Sequence, residues 1–198
     1  DLVIVEQADS EEQRQAALDR VSSAQRLYNA TSLEGAQYQY LTNWYCPAIR
    51  EMALRVDFQP NATWIVEHIF PQISVEQAEE ALVLLQDLGL LTIAPNGVTV
   101  QDVSITTPMQ VTGMAVHQYH QQMLDLAKGS VRDFDRDERH VLGVTVSIPK
   151  DLRSTVKEEL NQMAARLLDL CDGAEGDKND TIQLGLYMFP LNRDGDHT

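Results

Sequence analysis

Apolar residues between positions 36 and 110 recur first at helical spacing and then at the alternation typical of strands. Residues 64–69 form one short helical run, and residues 74–88 form a longer one. The apolar positions of the longer run lie three or four residues apart, at Val75, Ala78, Leu82, Leu85 and Leu88. Side chains at this spacing share one face of a helix, so the pattern predicts two consecutive helices.

A short β-hairpin is predicted directly after the second of these helices. Gly89 stands where a left-handed residue commonly ends a helix. Residues 91–94 and 98–101 then flank a proline, an asparagine and a glycine, which favour a turn. Helix, turn, helix and hairpin together are the outline of a winged helix-turn-helix, the fold of many DNA-binding domains.

The chain before this region is also predicted to be helical. Ser10 and Gln13 are placed to form a capping box that opens a first helix. A second helix follows, with one apolar face at Tyr38, Leu41, Tyr45, Ile49 and Met52. Pro47 interrupts that face, and because proline has no backbone donor we expect a kink or a helix restart near residues 43–44.

A long helix is predicted to follow the hairpin, from residue 111 or 112 to residue 131. Its candidate inward positions are Met114, His117, Met123, Leu124 and Ala127. This helix would connect the winged-helix region to the end of the chain.

Residues 142–148 and 181–190 alternate apolar and polar side chains on either side of a third helical stripe. The apolar positions are Leu142, Val144, Val146 and Ile148 in the first segment and Ile182, Leu184, Leu186 and Met188 in the second. Two strands joined by a helix usually lie parallel with a right-handed crossover. Two strands alone form a marginal sheet, so we expect the hairpin, an upstream segment or a second copy of the chain to extend it.

We therefore predict an α+β, mostly helical protein in three regions. Residues 1–35 are an N-terminal linker helix, and residues 36–110 are a degenerate winged helix-turn-helix domain. Residues 111–198 are a long helix followed by a C-terminal β–α–β module.

The predicted winged-helix region lacks the positive charge that a DNA-binding domain of this shape needs. No lysine or arginine occurs between Arg55 and Lys128, whereas this stretch contains eight carboxylates: Asp57, Glu67, Glu76, Glu79, Glu80, Asp87, Asp102 and Asp125. The formal net charge of the 198 residues is −15 at pH 7. Binding to DNA requires cations that displace counterions from phosphate, so we expect no nucleic-acid binding by this chain. The same charge repels anionic membrane surfaces.

The remaining composition indicates a cytoplasmic protein. No apolar run approaches the roughly 20 residues that a membrane-spanning helix needs. Cys46 and Cys171 share no metal-binding spacing, and both lie in apolar helical runs. We interpret them as buried, reduced thiols, with one disulfide as the alternative.

Two histidines are the main candidates for metal chemistry. His117 and His120 lie three residues apart and would share a helix face. Zinc needs at least a third ligand, which Asp125 or Glu138 could supply if the fold brought it close. Because short motifs match often by chance, we favour the interpretation that one histidine packs and the other is exposed. We expect no resident metal, no cofactor and no catalytic residues.

Aromatic side chains offer a candidate ligand pocket. Trp44 and Tyr45 on one predicted helix and Tyr119 and His120 on another could face a common cavity. The alternative is that the aromatic group contributes to the core, namely Tyr38, Tyr40, Trp44, Tyr45, Phe58 and Trp64. We favour the core, since large rings at helical spacing more often fill protein interiors.

Several short motifs, taken in order, resemble a known bacterial family. They are Trp44-Tyr45, Ile49-Arg50-Glu51, Trp64-Ile65, the run of Ala78, Ala81, Leu82, Leu85, Leu88, Gly89 and Leu90, Tyr119-His120 with Met123-Leu124, and Phe189-Pro190-Leu191. These are similar to two-part proteins with an N-terminal helix-turn-helix of the Cro/repressor type and a C-terminal domain of unknown function. Such proteins are usually guessed to be transcriptional regulators. The resemblance covers residues 8–191 and implies that this chain is the C-terminal part.

The resulting functional expectation is an effector or dimerisation region of a regulator, acting through protein or ligand contact. We expect a homodimer, with strand pairing through Val144 and Val146 or through Ile182, Leu184 and Leu186. One alternative is a small-molecule or peptide sensor that uses the aromatic pocket. The other, from a different class, is a metal-dependent enzyme centred on the two histidines.

Overall fold

The computed structural model describes residues 32–101 and 109–192 of the protein. Within these residues the protein is α+β and mostly helical, as predicted. In chain order the elements are α1 (Ser32–Thr42), α2 (Tyr45–Met52), α3 (Ala62–His68), α4 (Val75–Asp87), β1 (Leu91–Ala94), β2 (Gly97–Val100), α5 (Met109–Asp133) and α6 (Leu152–Asp172). The first predicted helix, which would begin at the Ser10 capping box, lies outside the described residues.

The predicted interruption near residues 43–44 is confirmed as a helix restart. Helix α1 ends at Thr42 and α2 begins at Tyr45. Pro47 is the third residue of α2, within the first turn. Backbone donors of a first turn have no partner inside the helix, so proline removes no helical hydrogen bond there. The apolar face therefore continues across the break.

Helices α3 and α4 both begin with a side-chain cap. The Trp64 amide donates to the Asn61 side chain over 2.8 Å at the start of α3. In α4, Gln77 N donates to Ser74 Oγ over 3.1 Å, and Ser74 N donates to Gln77 Oε1 over 2.9 Å. This reciprocal pair is a capping box. Gly89 adopts a φ of 67°, so it ends α4 as its position predicted.

The hairpin forms in the predicted place, with its second strand starting one residue earlier. Strands β1 and β2 are antiparallel, with Leu91 opposite Val100 and Ala94 opposite Gly97. A two-residue turn joins them. Gly97 has a φ of 143°, a conformation that other residues rarely adopt, which explains the glycine at this point.

The core lies where α2, α3, α4 and β1 meet. Its largest fully buried side chains are Ile49, Ile65, Leu85, Leu90, Leu91 and Cys46. Tyr40, Tyr45 and Trp64 are also buried in this cluster, and Trp44 and Phe58 pack against it. These aromatic residues thus contribute to the core, which was the favoured interpretation.

Helix α5 lies along α1, and one of its five predicted inward positions, Met123, is buried. Among residues 114–133 the other buried side chain is Ala115, whereas Met114, His117, Leu124 and Ala127 are exposed. The prediction was wrong at these four positions because several faces of this helix contain apolar residues. Contact with α1 favours the face that offers a small alanine and a hydrogen-bonding glutamine, Gln122.

The C-terminal region contains the predicted helix α6 but not the predicted strands. Residues 142–148 and 181–190 form no strand, and their alternating apolar side chains are exposed. A strand requires the backbone groups of a neighbouring strand, and neither segment pairs with another within the described part of the chain. A backbone hydrogen bond from Val56 N to Lys178 O, over 3.1 Å, connects the loop after α6 to the loop after α2. None of the described helices is long and apolar enough to cross a membrane.

Candidate functional site

Helix α4 presents an acidic side to solvent. Because its apolar positions face the core, Glu76, Glu79, Glu80 and Asp87 are left exposed. Glu76 lies in the first turn, where a hydrogen bond from its own backbone amide and one from Ser74 lower the pKa of its carboxyl. In a DNA-binding winged helix this helix would face the bases. Here all of its exposed charged groups are carboxylates, which accept hydrogen bonds from donors but repel phosphate.

A groove of about 460 Å³ lies between this side of α4 and the helices α1 and α2. We call it the α4 groove. Its apolar surface includes Tyr45, Val83 and Leu84, and its rim carries the carboxylates of Glu79, Glu80 and Asp87. None of the residues that the structure places along it is a lysine or an arginine. Val83 is 57% exposed, a high value for an apolar residue in the middle of a helix.

Burial keeps the ionisable groups at the base of the α4 groove neutral. It raises the pKa of the Tyr45 phenol, and the nearby Cys46 and Glu80 raise it further. It also raises the pKa of the Cys46 thiol to about 12. Protein interiors disfavour charged groups, so both side chains contribute surface and hydrogen-bonding capacity rather than charge near pH 7.

The four residues of the predicted aromatic pocket do not all face one cavity. The rings of Trp44 and Tyr45 lie 6.1 Å apart, and those of Tyr119 and His120 lie 6.0 Å apart. Trp44 is next to α5, because its backbone amide donates to Gln122 Oε1 over 3.1 Å. Tyr45, however, faces the α4 groove, and His120 is exposed. The four residues therefore belong to at least two different surfaces.

Residue Gln122 was not identified from the sequence, although it joins two elements. Its Oε1 accepts from Trp44 N, and its Nε2 donates to Thr42 O over 2.6 Å. These two backbone groups flank the break between α1 and α2. A helix break predicts unpaired backbone groups, but nothing in the sequence indicates which distant side chain pairs with them.

The cations at the edge of the winged-helix region are engaged within the protein. Arg55 donates to both oxygens of Asp57, over 3.0 and 2.8 Å, and its guanidinium lies 5.6 Å from the Trp64 ring. These hydrogen bonds lower the pKa of the Asp57 carboxyl. Arg50 donates to Gln101 O over 3.0 Å and pairs with Glu51. Neither arginine is therefore presented as an isolated positive charge.

The two histidines do not lie in a ligand cluster. His117 and His120 are both exposed on α5. Among the residues that the structure describes, no group of three histidine, cysteine or acidic side chains is close enough to hold a metal ion. The proposed third ligands, Asp125 and Glu138, are not brought to them.

The two cysteines are both free, but only one is buried. Cys46 is 1% exposed, whereas Cys171, near the end of α6, is exposed. The prediction of two buried thiols is wrong for Cys171, because α6 has no buried residue. Cys171 is therefore accessible to solvent near the end of α6.

All five candidate interface residues of the C-terminal region are exposed. The exposed fraction is 75% for Val144 and 70% for Ile182. Val146, Leu184 and Leu186 are exposed as well. Exposed apolar residues are this frequent in few monomeric proteins outside interaction sites.

These observations define a mostly helical α+β protein with a helix–helix–hairpin core and an apolar C-terminal surface. A family model described as a domain of unknown function, DUF4423, matches residues 25–191. The chain belongs to the DUF4423 family. No curated protein and no solved structure matches it.

Proposed function

We propose that this chain is the dimerisation and effector region of a transcriptional regulator, which acts through contact with proteins or ligands rather than with DNA. The observation that carries the proposal is the exposed alternation of apolar residues in segments 142–148 and 181–190. In strand geometry such residues project to one face, which needs cover. A second copy of the chain supplies an identical segment and an identical face.

Two-fold pairing would give an unpaired segment both backbone partners and cover for its apolar face. Antiparallel association of residues 142–148, or of residues 181–190, with the same segment of a second copy pairs the backbone groups of both. It also places the apolar faces side by side, where α6 can cover them. Pairing with a second copy would give these segments the neighbouring backbone that they lack in one chain, and so form the strands of the predicted β–α–β module.

The proposed winged helix-turn-helix serves as a scaffold. Supporting this, α3, α4 and the hairpin follow one another in the predicted order, with Gly89 ending α4 and a turn at residues 95–96. The acidic side of α4 favours a role in protein contact over DNA contact. A Cro/repressor-type head, if one precedes this chain, would be spaced by the dimer, as in repressors that read two half-sites.

The test is a measurement of molecular mass by light scattering at tens of micromolar, on paired variants. Val144→Asp and Leu184→Asp introduce charge on the apolar face of one segment each. Thr145→Asp and Gln183→Asp make the same change on the opposite face and serve as matched controls. We expect dimers for the wild type and both controls, and monomers for whichever apolar-face variant disrupts the pairing segment.

Infrared spectroscopy is a second readout, and it measures strand formation directly. If pairing makes strands, the β-sheet signal in infrared spectra rises as concentration increases from submicromolar to tens of micromolar. A wild-type protein that remains monomeric over this range, or a dimer that both apolar-face variants leave intact, contradicts the proposal.

A further inference from the structure

The α4 groove combines an exposed apolar strip with uncompensated negative charge. Val83 and Leu84 lie in the middle of the strip, with Glu79 and Glu80 before them and Asp87 after them. Residues four apart lie above one another on a helix. The helix from Glu79 to Asp87 therefore presents a carboxylate, an apolar side chain and a second carboxylate in line, over about two turns or roughly 12 Å.

We propose that the α4 groove binds a cationic amphipathic helix of a partner protein. An apolar side chain of the partner would contact Val83 and Leu84. Basic side chains one turn on either side of it would pair with the carboxylates of the rim. Helix-in-groove recognition uses anchors at this spacing of three or four residues. The inference rests on the effector role proposed above and gives it a partner chemistry.

The negative charge of the α4 groove favours a cationic partner over an anionic one. The carboxylates of Asp57 and Asp133 each pair with an arginine. By contrast, no ion pair engages Glu79, Glu80 or Asp87 among the residues that the structure describes. Their mutual repulsion is relieved by a cationic ligand and increased by an anionic one. The neutral phenol of Tyr45 adds no opposing charge.

A synthetic peptide tests the inference on the whole chain. The probe is a helical peptide with a leucine flanked by arginines four residues before and after it. Two further peptides replace the leucine with glutamine or the arginines with glutamate. Binding is measured by calorimetry at low salt, and the site is mapped from amide chemical shifts. We expect saturable binding of the first peptide alone, with shifts at Tyr45 and at residues 79–87.

Matched variants on the same helix identify the groove as the site. Val83→Gln removes the apolar contact, and Glu80→Gln removes one rim charge. We expect Val83→Gln to weaken binding by about five- to tenfold, the scale of one lost apolar contact. Glu80→Gln should weaken it by about three- to fivefold, the scale of one exposed charge pair. Val75→Gln and Glu76→Gln change exposed residues of α4 outside the groove, and we expect affinity within about twofold of wild type.

Several outcomes overturn the inference. These are no saturable binding, equal affinity of all four variants, equal binding of the leucine-to-glutamine peptide, or chemical-shift changes confined to residues 142–190. Melting curves verify that each variant is folded, which is expected because all four positions are exposed. The dimer variants lie in different segments, so failure of this test is distinguishable from failure of dimerisation.

Discussion

The two cysteines differ in environment, and the difference has measurable consequences. Cys46 is buried in the core cluster, whereas Cys171 is exposed on α6. Thiolates react with alkylating and disulfide reagents much faster than thiols do. Burial both blocks access to Cys46 and raises its pKa to about 12, so two effects suppress its reactivity together.

We predict that native protein reacts with one equivalent of a thiol reagent at pH 8 and that denatured protein reacts with two. The native label should map to Cys171 in a peptide digest. A Cys171→Ser variant is the matched control and should not react until it is unfolded. Rapid labelling of Cys46 in the folded protein contradicts the buried position.

The raised pKa of Cys46 also predicts a loss of stability at high pH. The ordinary value of this thiol is 9.0 and the folded value is about 12, so the folded state holds its proton more tightly than the unfolded state. The free energy of unfolding is therefore unaffected below pH 9 and falls as pH rises from 9 towards 12. At pH 10 this loss is about 1 kcal/mol.

Urea unfolding of the wild type and of Cys46→Ala at pH 7 and pH 10 isolates this contribution. Both proteins retain the buried tyrosines, so the difference between them reports the thiol together with its effect on the pKa of Tyr40 and Tyr45. The stability difference between them should shrink by roughly 1 kcal/mol at pH 10. An unchanged difference means that the pKa of the thiol is close to its ordinary value.

At the scale of elements, a side chain of α5 forms hydrogen bonds with the break between α1 and α2. Gln122 of α5 pairs with one carbonyl and one amide that the break leaves without helical partners. Leaving buried backbone groups unpaired costs free energy comparable to lost hydrogen bonds. This side chain therefore fixes the position of α5 against α1 as well as the geometry of the break.

We predict that Gln122→Ala lowers the free energy of unfolding by about 1–3 kcal/mol, because two backbone groups lose their partner. The neighbouring residue gives a matched control, since Gln121 is exposed. Gln121→Ala should change stability by less than about 0.5 kcal/mol. Chemical denaturation followed by circular dichroism measures both, and equal effects would argue against the bridging role.

The elements that could be predicted from the sequence are those fixed by local signals. Caps, helical spacing and a glycine-containing turn are all present in the chain from α3 to β2, and these elements formed where predicted. The buried face of α5 could not be predicted, because the neighbouring helix selects Ala115 and Gln122 over more apolar residues. Residues 142–148 alternate as strands do, but alternation does not provide the neighbouring backbone that a strand requires.

At the scale of the whole molecule, the distribution of charge argues against DNA binding, although the order of elements is the one predicted for a winged helix-turn-helix. The α3, α4 and hairpin arrangement resembles a DNA reader in outline, but its exposed helix carries carboxylates. Arg50 and Arg55, at its edge, already contact acceptors within the protein. Positioning on a duplex depends largely on phosphate contacts, for which residues 56–101 provide no lysine or arginine.

We predict that the chain does not shift duplex DNA in a gel at low salt, where electrostatic attraction to phosphate is strongest. A basic winged-helix protein run beside it serves as the positive control. Retarded DNA that is released by added salt would contradict the prediction and show that a cationic surface exists elsewhere in the chain.

The unequal exposure of the two thiols also makes Cys171 a natural point of attachment for a nitroxide spin label. Labelling the native protein would place one paramagnetic centre near the end of α6 in each copy. In a symmetric dimer, pulsed electron resonance then returns a single distance between the two centres. Pairing through residues 142–148 and pairing through residues 181–190 arrange the two α6 helices differently about the axis. One spectroscopic distance would thus distinguish the two arrangements without any substitution in the chain.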